Sequence, residues 1–405
     1  MRIAQVNMVP NGSTGKIMLQ IAKVARDRGY ETKTYSTEIY NRFKKPSTFS
    51  APYHRTWGSF RENTVHYILG SLLGRNGCFS RIGTRKLVKE LAQWKPDVLH
   101  LHNLHCYCIH LSTLFRYIKE NDVRVVWTLH DCWAFTGQCP HFEGVGCEKW
   151  RTGCHHCPQI GSYPKAYRDN SRQMYRLKKQ WFTGVKDMTL VTPSHWLADL
   201  VKQSFLKDYP VKVIHNGIDL SVFKPTPSNF RERYGIPVEK KIILGVAFGW
   251  GVRKGLDVFV ELAKRLDNTY QIVLVGTDEK VDAQLPGNVI SIHKTGNQQD
   301  LAEIYAAADL FVNPTREDTY PTVNMEALAC GTPVLTFRTG GSPEIPDETC
   351  GSVVEKDNVD ALEKEIVRIF QERTFLPEDC LRRAAQFDMY LKYEEYIGLY
   401  TEDEK

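Results

Sequence analysis

The stretch of residues 313–344 has three acidic residues between two apolar strand signals, and small residues and helix starts follow each signal. Glu317, Asp318 and Glu326 follow the first strand signal, and Gly340 and Gly341 follow the second. Because the carboxyl ends of parallel strands meet at one edge of a sheet, we expect these groups to lie together. Free N–H groups at helix starts bind phosphate, and carboxylates accept hydrogen bonds from sugar hydroxyls. The stretch therefore predicts a nucleotide-sugar pocket.

Two adjacent cations occupy a second glycine-containing loop. Arg253 and Lys254 come after the strand signal at 242–246 and directly before a helix signal that begins at Leu256. Glycines and cations at a helix start provide the close backbone approach and the positive charge that a pyrophosphate requires. The loop predicts a diphosphate site.

A third candidate group follows strand signals in the first half of the chain. The strand 124–129 ends at His130 and Asp131, a pair that can bond sugar hydroxyls or hold a proton. His100 and His102 lie on one face of the preceding strand and are interpreted as pocket lining at best.

Length and composition indicate two globular domains. The chain has 405 residues, of which 42% are hydrophobic and 25% charged. The net charge of +6 suits anionic substrates or an acidic membrane, and no zinc-finger, homeodomain or basic-zipper pattern indicates nucleic acid. The chain starts directly as a strand, without a signal peptide or a membrane-spanning apolar run. We therefore expect a cytoplasmic location.

The order of strand and helix signals predicts an α/β fold whose pattern restarts midway. Residues 2–6 read as a strand and residues 17–28 as a helix, with Gly12 and Gly15 in the loop between them. This is the opening of a Rossmann-like unit, although the loop matches neither a Walker motif nor G-x-G-x-x-G. The two glycines either bring backbone close to a ligand or form a tight turn.

The acidic stretch resembles the signature of the retaining glycosyltransferases of family GT4, which have the GT-B fold. The resemblance is carried by Asp318-x7-Glu326, by Ala-Leu-Ala-Cys-Gly-Thr-Pro-Val and by Gly-Gly-x-Pro-Glu, and it extends over nearly the whole chain. The family usually has Glu as its first acid, so Glu317 or Asp318 could fill that role. The resemblance implies transfer of a sugar from a UDP- or GDP-sugar, with retained anomeric configuration. The acceptor would be a glycan or a lipid-linked saccharide.

The GT-B fold implies two Rossmann-like domains that face a cleft. We predict an acceptor domain at residues 1–213 and a nucleotide-sugar domain at residues 214–375. The tail, residues 376–405, is expected to return to the first domain.

The resemblance also implies roles for individual residues. Arg253 and Lys254 would stabilise the departing diphosphate, and His130 would orient the sugar. Glu317 or Asp318 would bind the sugar, and no cofactor is required for the reaction. The other donor-binding residues are Glu326 on the ribose, Thr322 and Val323 in the turn before a helix predicted to start at 326, and Gly12 and Gly15.

A cysteine-rich insertion spans residues 132–157. Cys154-x2-Cys157 is a good chelating pair, and with Cys139 and Cys147 it could form a closed structural zinc site. The outer spacings are not those of a standard finger, so buried free thiols or a disulfide pair are alternatives. The insertion resembles a GT4 branch that includes the colanic-acid and capsule-type transferases.

Residues 51–95 mix aromatic and aliphatic residues with arginines, a composition that suits the face of an anionic membrane. Peripheral contact at the inner face of the cytoplasmic membrane is one hypothesis. The alternative is that the aromatic residues form core while the arginines face solvent.

Two other functions fit the same motifs. The chain could be another GT-B enzyme, such as an epimerase. It could also be a non-catalytic nucleotide-sugar-binding subunit of a polysaccharide assembly complex.

Overall fold

A computed structural model describes residues 1–37, 50–105 and 107–402. The chain divides into two compact units. The first comprises residues 1–214 and 393–405, and the second comprises residues 215–392. Each unit has one sheet in which every pair of neighbouring strands is parallel.

The sheet of the first unit has seven strands in the order β3-β2-β1-β4-β5-β6-β7. The strands are β1 (Arg2–Val6), β2 (Glu31–Thr37), β3 (His54–Trp57), β4 (Val98–Leu101), β5 (Arg124–Thr128), β6 (Met188–Thr192) and β7 (Val211–Val213). The helices are α1 (Gly12–Asp27), α2 (Phe60–Leu73), α3 (Arg81–Trp94), α4 (Leu111–Glu120), α5 (Ser171–Phe182) and α6 (His195–Lys202).

The sheet of the second unit has six strands in the order β10-β9-β8-β11-β12-β13. The strands are β8 (Lys241–Val246), β9 (Tyr270–Val275), β10 (Val289–Ile292), β11 (Leu310–Asn313), β12 (Val334–Phe337) and β13 (Gly351–Val354). The helices are α7 (Phe230–Arg233), α8 (Leu256–Arg265), α9 (Glu279–Asp282), α10 (Gln298–Ala307), α11 (Thr322–Ala329), α12 (Val359–Glu372) and α13 (Pro377–Ala384). The last helix, α14 (Met389–Tyr400), begins in the second unit and ends in the first.

The element pattern follows from burial. All four residues of β4, β11 and β12 are buried, as expected for strands that carry helices on both faces. In α4, Leu111, Leu114, Phe115 and Ile118 are buried at helical spacing and form the stripe that packs onto the sheet. The predicted α/β architecture is confirmed.

The tail differs from the prediction at its start. Only residues 393–405 group with the first unit. Cys380, Ala384 and Phe387 are buried in the core of the second unit, so the segment before residue 393 is fixed there by apolar packing. The predicted boundary after residue 213 lies one residue from the observed division.

Within the three described ranges, no helix is long and apolar enough to cross a membrane.

Candidate active site

The strand orders place a switch point in each sheet. The chain leaves β1 toward β2 on one side and later adds β4 on the other, and β8 has the same relation to β9 and β11. In open parallel sheets, ligands bind where the loops diverge at such a point. In the second unit, the loops after β8 and β11 carry Arg253, Lys254, Glu317 and Asp318, the groups predicted to bind donor.

Lys254 and Asp318 form an ion pair across that switch point. Lys254 Nζ lies 2.6 Å from Asp318 Oδ2, and the two side chains are 18% and 22% exposed. Glu317, the other candidate for the first acid, is 8% exposed, so it is the more buried of the two. Asp318 therefore presents the more accessible carboxylate, next to the cation predicted to bind diphosphate.

Arg316, which the motif analysis missed, holds the two loops together. Its guanidinium forms a bidentate pair with Asp257 at 2.8 Å for both contacts, and its Nε lies 2.5 Å from Asp357 Oδ1. Its backbone N–H donates to the carbonyl of Arg253 at 2.9 Å. Arg253 in turn reaches the Glu317 carbonyl from Nη1 at 3.4 Å. The cation loop thus has a defined position relative to the acidic loop.

Helix α11 begins earlier than predicted. It starts at Thr322 rather than Glu326, because Pro321 stands at the N-cap and the side chain of Asn324 is fixed by Asn313 at 2.7 Å and Ser342 at 2.9 Å. Thr322 and Val323 therefore occupy the first helical turn, where backbone N–H groups lack intrahelical acceptors. This end of the helix attracts anions.

Glu326 lies on the second turn of α11 and has a partner that sequence reasoning did not identify. The hydroxyl of the buried Tyr305, on α10, donates to Glu326 Oε2 at 3.2 Å. Burial raises the pKa of Tyr305 well above its ordinary value, so the hydroxyl stays protonated and remains a donor. Tyr305 orients the carboxylate that is predicted to bind ribose.

A glycine turn closes on the acidic loop. Gly340 has a φ of +54°, and a Cβ built there would lie 1.8 Å from the Asp318 carbonyl oxygen. The buried hydroxyls of Thr319 and Thr339, next to this contact in sequence, have no hydrogen-bond partner among the residues that the structure describes. Only glycine at position 340 permits so close an approach to the Asp318 carbonyl oxygen. The helix start predicted after the second strand signal is a single 3-10 turn, Ser342–Glu344.

In the first unit, His130 ends a chain of polar side chains. His130 Nε2 lies 3.2 Å from His102 Nδ1, and His102 Nε2 lies 3.1 Å from the Gln5 amide. Gln5 satisfies its neighbours only with its amide nitrogen toward His102. His102 Nε2 therefore accepts a hydrogen bond from Gln5, so neutral His102 carries its proton on Nδ1 and donates it to His130 Nε2. His130 must then carry its own proton on Nδ1. Burial lowers the pKa of His130 to about 4, against the raising effect of Asp131, so the ring is neutral at pH 7.

Asp131 pairs with a different histidine from the one predicted. Its Oδ2 lies 3.0 Å from His105 Nε2, and its Oδ1 accepts from the Trp133 N–H at 2.9 Å. Burial alone would raise the pKa of Asp131, but His105 and the hydrogen bonds lower it to about 2. His100 is fully buried, 2.6 Å from the Tyr400 hydroxyl and 2.8 Å from Thr128 Oγ1, so its interpretation as pocket lining is wrong.

The predicted glycine loop of the first unit is shorter than expected, because α1 begins at Gly12 rather than Ile17. A Cβ on Gly15 would lie 2.5 Å from the Pro10 carbonyl carbon, so Gly15 is required where the loop crosses the first helical turn. Gly12 is exposed, with a φ of +73°. Close packing against Pro10 therefore explains why residue 15 is glycine.

The aromatic and basic stretch divides between core and surface. Trp57 is buried, and its Nε1 donates to the Cys108 carbonyl at 3.1 Å. Val65, Ile68 and Leu72, on α2, are 52%, 48% and 51% exposed. The alternative that aromatic residues of this stretch form core is confirmed for Trp57. One face of α2, in contrast, has apolar side chains that are exposed to solvent.

Two parallel sheets of this order, with a cation loop and an acidic loop at the switch point of the second, define a glycosyltransferase of the GT-B class. The chain belongs to glycosyltransferase family 4. The family model described as Glycosyltransferase Family 4 matches residues 15–222, and the one described as Glycosyl transferases group 1 matches residues 240–372. The predicted family and enzyme class are confirmed.

Three similar proteins span most of the chain. The putative colanic acid biosynthesis glycosyl transferase WcaC of Escherichia coli K12 is 29% identical over 320 residues, which are 75% of this chain and 76% of that protein. The sucrose-phosphate synthase of Thermosynechococcus elongatus superposes with a TM-score of 0.72 at 18% identity, over 99% of this chain and 98% of that one. Anabaena HepE in complex with UDP superposes with a TM-score of 0.69 at 15% identity, over 99% and 100%. These two structures establish the fold.

Proposed function

We propose that the enzyme transfers a hexosyl residue from a UDP-sugar, with retention of configuration, to a saccharide acceptor in the assembly of a surface polysaccharide. The observation that carries the proposal is the Lys254–Asp318 pair at the switch point of the second sheet. A cation that binds the leaving diphosphate stands there beside a carboxylate that can hold a sugar hydroxyl. Departure of the diphosphate and binding of the sugar are the two requirements of glycosyl transfer.

In this mechanism no side chain attacks the sugar. Negative charge grows on the diphosphate as its bond to the anomeric carbon breaks, and Lys254 and Arg253 stabilise that charge. The N–H groups of Thr322 and Val323 add to this stabilisation from the start of α11. The acceptor hydroxyl attacks from the face that the diphosphate leaves, and the diphosphate takes its proton.

Three further groups would hold the donor. Glu326, oriented by Tyr305, accepts from the ribose hydroxyls. Asp318, rather than the more buried Glu317, accepts from the sugar. His130 donates from Nδ1 to an oxygen of the substrate, a role that suits its neutral ring.

Binding of UDP is supported by HepE, whose structures were determined with UDP and with UDP-glucose. A thermal-shift comparison of UDP, GDP, ADP and their sugar conjugates tests it. We expect a UDP compound to raise the melting temperature of the wild type and of Lys264→Ala, an exposed lysine on α8. Lys254→Ala should lose the shift. A shift with GDP alone would refute the UDP assignment, and no shift with any nucleotide would refute donor binding.

The acceptor is proposed from the similarity to WcaC, whose name refers to colanic acid. We propose a saccharide acceptor, carried on a lipid. Incubation with UDP-sugar and lipid-linked saccharides, followed by NMR of the product, tests both the acceptor and retention. A product linkage of the anomeric form opposite to that of the donor would contradict the mechanism.

Contact with an acidic membrane is proposed from the exposed face of α2. Val65, Ile68 and Leu72 share one side of the helix, and Ile82 on α3 is 65% exposed. Arg61, Arg81, Arg85 and Lys86 are exposed on the same two helices. The carboxylate of Glu62 accepts from the N–H groups of Ile82 and Gly83, at 2.8 and 2.9 Å, and joins α2 to the start of α3. Apolar side chains with flanking cations suit an anionic bilayer surface.

Vesicle flotation tests this contact. We expect binding to vesicles that contain phosphatidylglycerol and little binding to pure phosphatidylcholine. Ile68→Asp should abolish binding, whereas Val238→Asp, at an 85% exposed apolar residue of the second unit, should not. Equal flotation of both variants would contradict the proposal.

A further inference from the structure

The cysteine-rich insertion contains a small cavity that is separate from the donor-binding loops. Its lining includes Cys139, Cys147, Cys154 and Cys157, and its free volume is about 20 Å³. Such a volume holds little more than one water-sized sphere. Four thiols therefore border a space of the size that a single metal ion fills.

One of these sulfur atoms already accepts a backbone hydrogen bond. The Gly137 N–H donates to Cys154 Sγ at 3.2 Å. Backbone N–H groups directed at sulfur stabilise thiolates, the form in which cysteine binds metal.

A buried lysine lies next to these thiols. Lys178 is 1% exposed, and its Nζ donates to the carbonyl oxygens of Trp133 and Thr136 at 2.6 and 3.1 Å. Thr136 also lines the cavity. Across the described ranges, no carboxylate lies within ion-pair distance of this ammonium group. Burial lowers the pKa of Lys178 to about 7, so its charged form is costly unless an anionic centre lies nearby to compensate it.

The wall of the cavity also contains an unsatisfied donor or acceptor. His155 lines the cavity, and its Nδ1 is buried without a hydrogen-bond partner in the described part of the chain. Leaving such an atom unpaired costs about 1–3 kcal/mol. A thiolate bound to metal would accept a hydrogen bond from an N–H at this position.

The geometry points to a structural zinc ion bound by the thiolates of Cys139, Cys147, Cys154 and Cys157. Zinc binding releases one proton from each thiol and leaves a centre of net charge −2, which Lys178 partly offsets. As the loops stand in the described residues, no three of these sulfur atoms lie within 4.8 Å of one another. Tetrahedral zinc with Zn–S bonds of about 2.3 Å brings sulfurs to roughly 3.8 Å, so the loops must draw inward by at least about 1 Å.

The backbone of the insertion permits that movement. In place of strands or α-helices, the described insertion has three 3-10 turns, Trp133–Phe135, Glu143–Val145 and Lys149–Arg151. Phe142 stacks on Trp150 with ring centroids 5.0 Å apart, which gives the segment an aromatic core. The insertion directly follows the Asp131 that pairs with His105, so zinc would stabilise the loop that leaves β5.

The experiment is a metal analysis of full-length, tag-free protein isolated without chelators. We expect about one zinc per chain, as in closed four-cysteine sites, released when thiols are blocked with a mercurial. Cys154→Ser and Cys157→Ser should lose the zinc. Cys78→Ser is the matched control, because Cys78 lies in the same unit, contacts Met174 Sδ at 3.8 Å and does not line the cavity.

A second measurement covers variants that fail to fold. Wild-type protein stripped of zinc and reloaded with Co²⁺ should show sulfur-to-cobalt charge-transfer and tetrahedral d–d absorption. Absence of zinc together with absence of that spectrum would overturn the proposal, as would zinc retained equally by Cys154→Ser and Cys78→Ser. A denatured-state thiol count below the 11 cysteines of the sequence, without zinc, would indicate a disulfide instead. These readouts are independent of glycosyl transfer, so failure of either proposal leaves the other standing.

Discussion

Replacement of Lys254 by alanine should separate catalysis from stability. Its Nζ lies 2.6 Å from Asp318 Oδ2, and neither side chain of the pair is more than 22% exposed. Loss of one group that stabilises developing charge lowers turnover by roughly 10²–10³-fold, equivalent to about 2.7–4 kcal/mol. We expect this loss in kcat, because the charge that Lys254 faces is largest in the transition state.

The cost in stability should be much smaller. A partly exposed ion pair contributes about 1 kcal/mol or less, and the freed Asp318 carboxylate remains accessible to water. For a domain of this size, that corresponds to a fall in melting temperature of about 2–4 °C. Lys254→Ala should therefore be folded and nearly inactive.

The assay is release of nucleoside diphosphate from donor, with and without acceptor, beside a melting curve for each protein. Lys264→Ala is the control, since that side chain is 62% exposed and its nearest carboxylate oxygen lies 3.8 Å away. Its activity and melting temperature should match the wild type. The reasoning is refuted if Lys254→Ala keeps its turnover within about tenfold of wild type, a change of only ~1.4 kcal/mol. Equal loss of folding and activity would also refute it.

Three other perturbations test the supporting contacts. Tyr305→Phe removes the hydroxyl that donates to Glu326, so the KM for donor should rise roughly five- to tenfold, about 1–1.5 kcal/mol, with kcat little changed; a fall in kcat alone would contradict a role in donor binding. Arg316→Gln breaks the bidentate pair with Asp257, so kcat should fall and the KM for donor should rise, whereas Arg316→Lys should recover only part of the loss; full recovery by lysine would show that the bidentate geometry is unimportant. NMR titration of the His130 ring should give a midpoint near pH 4, and a midpoint near 6.5 would contradict its burial. Because unfolded His130 takes a proton below about pH 6.5 and the folded ring does not, its contribution should make folding less stable as pH falls from 6.5 to 4.

The residues proposed to bind donor could be picked out in the sequence because they lie close together along the chain. Arg253 and Lys254 are adjacent, and Asp318 and Glu326 belong to one loop and the helix after it. Residues this close need only a local turn to face the same ligand. Alternation of buried strands with amphipathic helices likewise requires a parallel sheet, so the fold class followed from periodicity.

Other parts of the site could not be read from local pattern. Tyr305 reaches Glu326 across 21 residues, and Arg316 reaches Asp257 across 59. Neither residue belongs to a recognisable sequence motif, so nothing in the neighbouring sequence distinguishes it from any other tyrosine or arginine. The start of α11 at Thr322 depends on the contact of Asn324 with Ser342, 18 residues away.

The sequence by itself determined the α/β alternation, the presence of two units and the groups that are proposed to meet the diphosphate and the sugar. It did so because these features depend on periodicity and on neighbours a few residues apart. Tertiary structure alone decided which acid pairs with Lys254, which histidine pairs with Asp131 and how His102 directs the N–H of His130. It also brought four thiols around one cavity, with the buried Lys178 bonded to the backbone of Thr136 in its wall. Such partnerships depend on strand order and burial, which bring distant segments together and remove the water that would otherwise compete for their polar groups.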